Sequence, residues 1–128
     1  MSFSQSVKFA WEGGAGALSK TVTKTGTGQS SLDETVATGL TDEELEYTLD
    51  VSAIKSVYIY SSKDVTLETN DGSSPDDTLA LKANEPYVWH ETSLYPNLLT
   101  TDITSIFITN SSGETANIRI EALVDASP

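Results

Sequence analysis

The chain has 128 residues, with 7 Lys and Arg against 19 Asp and Glu, a net charge of −12, one histidine and no cysteine. This composition excludes zinc fingers, iron–sulfur proteins, thiol nucleophiles and disulfide scaffolds. The length predicts a single domain over residues 1–128. Nucleic acid and membrane surfaces are not expected partners, because both bind clustered Lys and Arg.

Small hydroxyl residues are the most distinctive part of the composition. Serine and threonine contribute 17 residues each, while the hydrophobic fraction is 38%, below the usual value of about 45 to 50%. Threonine suits pleated strands and serine suits turns. The composition therefore favours an all-β domain with a thin core.

The N-terminal third of the chain predicts short strands separated by a loop. Alternating apolar and polar residues indicate strands over residues 6–11, 18–25 and 32–36. Lys20 and Lys24 flank Val22 on one face, as is typical of an edge strand. The segment GTGQSS, residues 26–31, is predicted to be a loop.

The segment 41–51 fits two periodicities. Thr41 and Glu44 match a capping box that would start a helix at Asp42. Apolar residues at positions 45, 47, 49 and 51 share one face only if the segment is a strand. The strand is the favoured interpretation, with a corner or bulge at residues 52–53.

The rest of the chain predicts six more strands, at residues 54–60, 64–69, 78–82, 87–91, 103–110 and 115–124. The last two are expected to pair as a hairpin closed by NSSGE. With many short strands and no helical pattern of ten residues, the predicted fold is all-β. The expected architecture is an antiparallel two-sheet β-sandwich of the jelly-roll-like kind.

No catalytic residues are predicted, so the chain is not expected to be an enzyme. His90 is the one imidazole available as a base, no serine lies in a GxSxG motif, and the alternating pattern predicts an exposed histidine at a strand end. The acidic run at residues 42–46 is interpreted as a solvated, self-repelling turn. A glycosidase pair would have no support beyond the abundance of carboxylates.

A calcium site is also considered, because carboxylates in loops often bind calcium ions. Asp71, Asp76 and Asp77 lie in the loop 70–77, but their spacing is not that of an EF-hand. An Asx, Gly and Pro turn is the favoured interpretation. No metal site and no cofactor are therefore predicted, with these three aspartates as the calcium candidates.

Aromatic residues are the candidates for a binding surface. Tryptophan and tyrosine are enriched at protein interfaces and also stack on sugars. The interface candidates are Tyr58, Tyr60, Tyr87 and Tyr95. Trp11 and Trp89 are predicted to be core or corner residues.

The residues from Tyr47 to Val124 resemble small β-sandwich proteins that decorate and cement the capsids of tailed bacteriophages. The resemblance lies in YTLDVSAIKSVYIYSSKDVTLETNDGSSPDDTLALKANEPYVWH and in the later TDITSIFITNSSGETANIRIEALVD. It covers roughly the last two thirds of the chain. The order of features carries it: a strand ending in LDVSAI, a DVTLETN strand, a P-DD turn, a K-A-x-x-P-x-x-W turn and strand, and a final hairpin closed by NSSG.

The resemblance implies a virion structural protein on the outer capsid surface, made in the cytoplasm of the host bacterium. Its expected partners are the major capsid protein and further copies of itself, commonly in a trimer. Residues 1–6 would form a flexible N-terminal arm that reaches across capsid subunits. A carbohydrate-binding β-sandwich module on a virion or tail surface stays open as the alternative, and would expose Trp and Tyr together.

Overall fold

The computed structural model describes residues 2–125, and this part of the chain contains ten strands and one 3-10 turn at Val51–Ala53. The strands are β1 (Phe3–Trp11), β2 (Leu18–Gly26), β3 (Gly28–Val36), β4 (Leu40–Leu45), β5 (Ile54–Ser61), β6 (Val65–Thr69), β7 (Thr78–Leu81), β8 (Tyr87–His90), β9 (Ile106–Asn110) and β10 (Ala116–Val124). Among the described residues, no helix is long and apolar enough to cross a membrane.

Eight of the strands form two antiparallel sheets that pack face to face. One sheet has the order β3-β10-β5-β8 and the other β4-β9-β6-β7. Alternation produces the core, since Ile118 and Ile120 of β10 are buried while Asn117 and Arg119 between them are exposed. The predicted antiparallel two-sheet β-sandwich is confirmed.

Strands β1 and β2 form a separate hairpin that lies against the outer face of the β3-β10-β5-β8 sheet. Leu123 points away from the sandwich core, yet it is fully buried because the base of the hairpin covers it. A Cβ built on Gly26 would overlap the carbonyl oxygen of Val124. Glycine therefore lets the hairpin approach the end of β10 this closely.

The prediction of a loop at residues 26–31 was wrong. Strand β2 ends at Gly26, and β3 begins at Gly28 and pairs with β10 along its length. Small polar side chains suit this edge strand because its outer face is wet, and the Ser31 hydroxyl donates a 2.6 Å hydrogen bond to Glu121. Glycine and serine are typical of loops, so the sequence alone predicted a loop here, and only the pairing with β10 shows that the segment is a strand.

The N-terminal arm predicted at residues 1–6 lies mostly within β1. Residues 3–6 pair with residues 23–26 of β2, and the Ser6 and Thr23 hydroxyls lie 2.8 Å apart. Met1 lies outside the described residues. The chain beyond residue 2 therefore enters the hairpin directly.

The segment 41–51 forms neither the helix nor one long strand. Strand β4 ends at Leu45, and Asp42 adopts a positive φ of 52° where its pairing with β9 shifts register. Leu49 makes an isolated bridge to Ile103. The inward alternation was predicted correctly, since Tyr47 and Leu49 are buried in the core.

The predicted hairpin between residues 103–110 and 115–124 was wrong. Strand β9 pairs with β4 and β6, whereas β10 pairs with β3 and β5, so the NSSG segment crosses from one sheet to the other. Asn110 is fully buried at this crossing and donates hydrogen bonds to the carbonyl oxygens of Val36 and Glu114 at 2.9 Å. These bonds stabilise a corner in place of a hairpin turn.

Candidate interaction surface

Most of the large apolar side chains that are well exposed lie at one end of the molecule. We call this surface the hairpin end, and its members are Phe9, Trp11, Leu18, Leu94 and Tyr95. Trp11 and Leu18 are each 71% exposed and form the last cross-strand pair of the hairpin. Exposed apolar clusters of this kind mark interaction sites on soluble proteins.

A glycine-rich turn carries the hairpin past the edge of the sandwich. Gly13, Gly14 and Gly16 all have positive φ values, which glycine adopts at little cost. The Gly16 N–H donates a 3.2 Å hydrogen bond to the Gly13 carbonyl oxygen and closes the turn. Apart from the adjoining residues of the turn, no atom of the described chain lies within 4 Å of a Cβ built on any of the three, so the turn is exposed to solvent.

A shallow depression joins the hairpin to the loop after β8. Phe9, Leu94 and Tyr95 all line it, which makes the hairpin end one continuous surface. The loop is fastened, because the Tyr95 hydroxyl donates to the Val88 carbonyl at 2.7 Å and Trp89 Nε1 donates to the Tyr95 carbonyl at 2.9 Å. The apolar side chains are therefore presented from a preformed framework.

His90 forms the floor of this depression, and the prediction of an exposed histidine was wrong. Its side chain is on the outer face of the sheet, but the hairpin covers it, so the residue is 7% exposed. Its ring lies 6.1 Å from the Phe9 ring, and Nδ1 is 3.0 Å from the Thr92 hydroxyl. Burial, together with the charge of Lys24, lowers the pKa of His90.

The four candidate tyrosines do not form one surface. Tyr58 and Tyr60 share the outer face of β5, with ring centroids 6.4 Å apart and planes 11° from parallel. Tyr87 packs against the core instead, where burial raises the pKa of its hydroxyl and it donates to Asn97 at 2.6 Å. Tyr95 alone belongs to the hairpin end.

The calcium candidates face different partners. Asp71 accepts a hydrogen bond from the backbone N–H of Ser73 at 2.8 Å, and Asp76 accepts one from the Asn70 side chain at 2.7 Å. Asp77 binds the backbone and hydroxyl of Thr100, at 2.8 and 2.7 Å. Over residues 2–125, no group of three or more His, Asp or Glu side chains is placed to hold a metal ion.

The acidic run at residues 42–46 lies mainly in β4 and not in a solvated turn. Asp42 accepts a 3.3 Å hydrogen bond from the Thr109 hydroxyl of the neighbouring strand β9. Partial burial, with the nearby carboxylates of Asp42 and Asp71, raises the pKa of Glu68 on β6. The negative charges of Asp42 and Asp71 therefore disfavour ionisation of Glu68.

The sequence did not reveal which aromatic residues are exposed. Trp11 was predicted to be a core or corner residue and is instead exposed at the hairpin tip, while Trp89 does pack against the core. A signal for the tip was present, since the glycine-rich stretch GGAG follows the alternation of Val7, Phe9 and Trp11. Alternation alone does not predict whether the tip of such a hairpin packs on the sandwich or projects into solvent.

In comparisons with known proteins, no family model, no curated protein and no solved structure matches this chain.

Proposed function

We propose that the chain is a virion structural protein that decorates and stabilises a bacteriophage capsid by binding the outer surface of the major capsid protein lattice. The observation that carries the proposal is the hairpin end, which presents exposed apolar side chains on an otherwise acidic sandwich. A cement protein needs adhesive surfaces and no chemical step. Its partners would be the major capsid protein and further copies of itself, as a homotrimer.

Charge supports a protein that stays soluble until it docks. The net charge of −12 makes free copies repel one another at long range. Short-range apolar contacts then take over once copies lie side by side. Because each docked copy holds its neighbours near their sites, modest contacts add up to tight attachment.

The strand order supports the jelly-roll arrangement. If β3 to β10 are counted as strands 1 to 8, the two sheets run 1-8-3-6 and 2-7-4-5. The chain thus passes repeatedly from one sheet to the other, as in a double-sheet jelly roll. This architecture leaves connecting loops clustered at the ends of the sandwich, where they are free to contact neighbours.

The proposal is tested by sedimenting the purified protein with empty capsids assembled from the major capsid protein of the same genome. Saturable recovery of the protein in the capsid pellet is expected. Recovery of all the protein in the supernatant, at concentrations up to about 100 µM where even weak encounters register, would contradict a decorating role.

Tyr58 and Tyr60 support carbohydrate binding as a second candidate function. Their nearly parallel rings form an aromatic strip beside a groove lined by Val88, Glu121 and hairpin residues 5–8. Sugars stack on such rings while carboxylates bind their hydroxyls. A glycan array is the test: binding by the wild type but not by Tyr58→Ser/Tyr60→Ser would favour this function, and a blank array would remove it.

A further inference from the structure

We propose that the hairpin end is a self-association surface, and that the acidic sandwich of a second copy covers it in a head-to-tail contact. The inference rests on the oligomeric part of the proposed function. It does not depend on a capsid, because the free protein is expected to associate.

Charge is divided unevenly between the hairpin and the sandwich. Residues 3–26 carry three lysines and one glutamate, a net charge of +2, whereas residues 27–125 carry four basic and eighteen acidic residues, a net charge of −14. The hairpin is therefore the basic part of an acidic molecule. Its complement in charge is the sandwich of another copy.

Two of the hairpin lysines are available for such a contact. Lys8 and Lys20 make no ion pair with any residue in the range 2–125, and Lys20 is the direct cross-strand partner of Phe9. Lys24 differs, since it lies 3.7 Å from Glu91 and fastens the hairpin to its own sheet. By strand alternation Lys20 lies on the same face of the hairpin as Phe9. Lys8 points to the opposite face, and both lysines remain free for a neighbour.

The same charges decide how two copies meet. A symmetric contact between two hairpin ends would bring basic strands together and leave the acidic surfaces facing solvent. A head-to-tail contact places lysines against carboxylates and also covers Trp11 and Leu18. Head-to-tail contacts form rings when the rotation closes, which suits a trimer.

Analytical ultracentrifugation of the free protein over a concentration series at about 150 mM salt tests the proposal, because a screening length of about 8 Å damps the long-range repulsion between copies more than it damps contacts at salt-bridge distance. The wild type is expected to exceed the monomer mass of 13.7 kDa as concentration rises. Trp11→Ser/Leu18→Ser should remain monomeric. Leu98→Ser, at an exposed leucine outside the hairpin end, should associate like the wild type.

A charge series separates the electrostatic part from the apolar part. Lys8→Glu/Lys20→Glu is expected to weaken association at least tenfold, whereas Lys63→Glu/Lys82→Glu, with the same change in net charge but on the sandwich, should have a smaller effect. Equal effects of the two pairs would overturn the charge argument. A monomeric wild type at every concentration would overturn self-association, whatever the capsid experiment shows.

Cross-linking tests the orientation of the contact. Trp11→p-benzoylphenylalanine, irradiated in the associated state, is expected to link to residues within 27–125 of a second copy other than Leu94 and Tyr95, which belong to its hairpin end. Links confined to residues 3–26, Leu94 and Tyr95 of the second copy would instead establish the symmetric contact and overturn the head-to-tail arrangement.

Discussion

Asn110 shows how one buried polar side chain specifies the path of the chain between sheets. Its amide nitrogen donates to two carbonyl oxygens, those of Val36 and Glu114, and its side-chain oxygen accepts from the backbone and hydroxyl of Ser112. All four bonds lie at the crossing from β9 to β10. No apolar residue would satisfy the same groups.

Replacement of Asn110 should therefore be costly. Asn110→Ala removes all four of these hydrogen bonds from a fully buried position and is expected to lower the free energy of unfolding by about 2 to 4 kcal/mol. Urea unfolding followed by fluorescence measures the change. Asn117→Ala, at an exposed position of β10, is the control and should cost less than about 0.5 kcal/mol. A similar effect of both changes would contradict the role given to Asn110.

His90, which the hairpin covers, is expected to make the stability of the protein depend on pH. Lys24 and Glu91 are the charged groups that shift its pKa, and burial with Lys24 outweighs Glu91, so the pKa is lowered. The unfolded chain then binds the proton more tightly than the folded protein. Stability contributed by neutral His90 is full above the ordinary histidine pKa of about 6.5 and is lost as pH falls below it.

Thermal unfolding between pH 7.5 and pH 5.5 tests this dependence. The wild type should lose more of its Tm over this range than His90→Gln, which keeps a polar side chain beside Thr92 but does not titrate. The carboxylates titrate alike in both proteins and so cancel in the difference. Identical Tm losses in the wild type and in His90→Gln would contradict the prediction that protonation of His90 destabilises the folded protein.

At the scale of elements, the hairpin of β1 and β2 depends on close backbone approach at its base. Gly26→Ala would push a methyl group into the backbone of Val124. We expect a loss of about 1 to 3 kcal/mol and faster amide exchange across β1 and β2 by hydrogen–deuterium exchange. Ser19→Ala, on the exposed outer part of β2, should leave exchange unchanged. Slow exchange retained in Gly26→Ala would contradict this view of the hairpin base.

Strands with a buried face were predictable from alternation alone. In the predicted strand 54–60, positions 57 and 59 fall on one face and Tyr58 and Tyr60 on the other, and the structure places the first pair in the core. The alternation of side chains along a strand depends only on neighbouring residues. A shift of one residue would place every side chain on the opposite face of the sheet. The edge strand β3 was partly missed because its first residues, GQSS, carry no apolar pattern.

Pairing between strands was much less predictable, because it depends on residues far apart in the chain. The turn NSSGE looked like a hairpin turn, but β9 and β10 belong to different sheets. For the same reason the sequence did not predict that the hairpin would cover His90 and leave Trp11 exposed. The candidate surface combines residues 9–18 with residues 94–95, and no local pattern joins them.

At the scale of the whole molecule, the charge distribution predicts how docking responds to salt. A sandwich with a net charge of −14 over residues 27–125 should be steered to a neutral or basic surface of the capsid. Raising salt from about 50 to 500 mM shortens the screening length from roughly 14 to 4 Å. Capsid binding should weaken as a result, and binding that is equal or stronger at high salt would contradict charge steering.

The most direct test of the decorating role is a cryo-electron microscopy difference map between empty capsids incubated with the protein and the same capsids alone. The account predicts added density on the outer surface, at the positions where several copies of the major capsid protein meet, with a shape that fits the sandwich and its projecting hairpin. Capsids that carry no added density at saturating protein would contradict it.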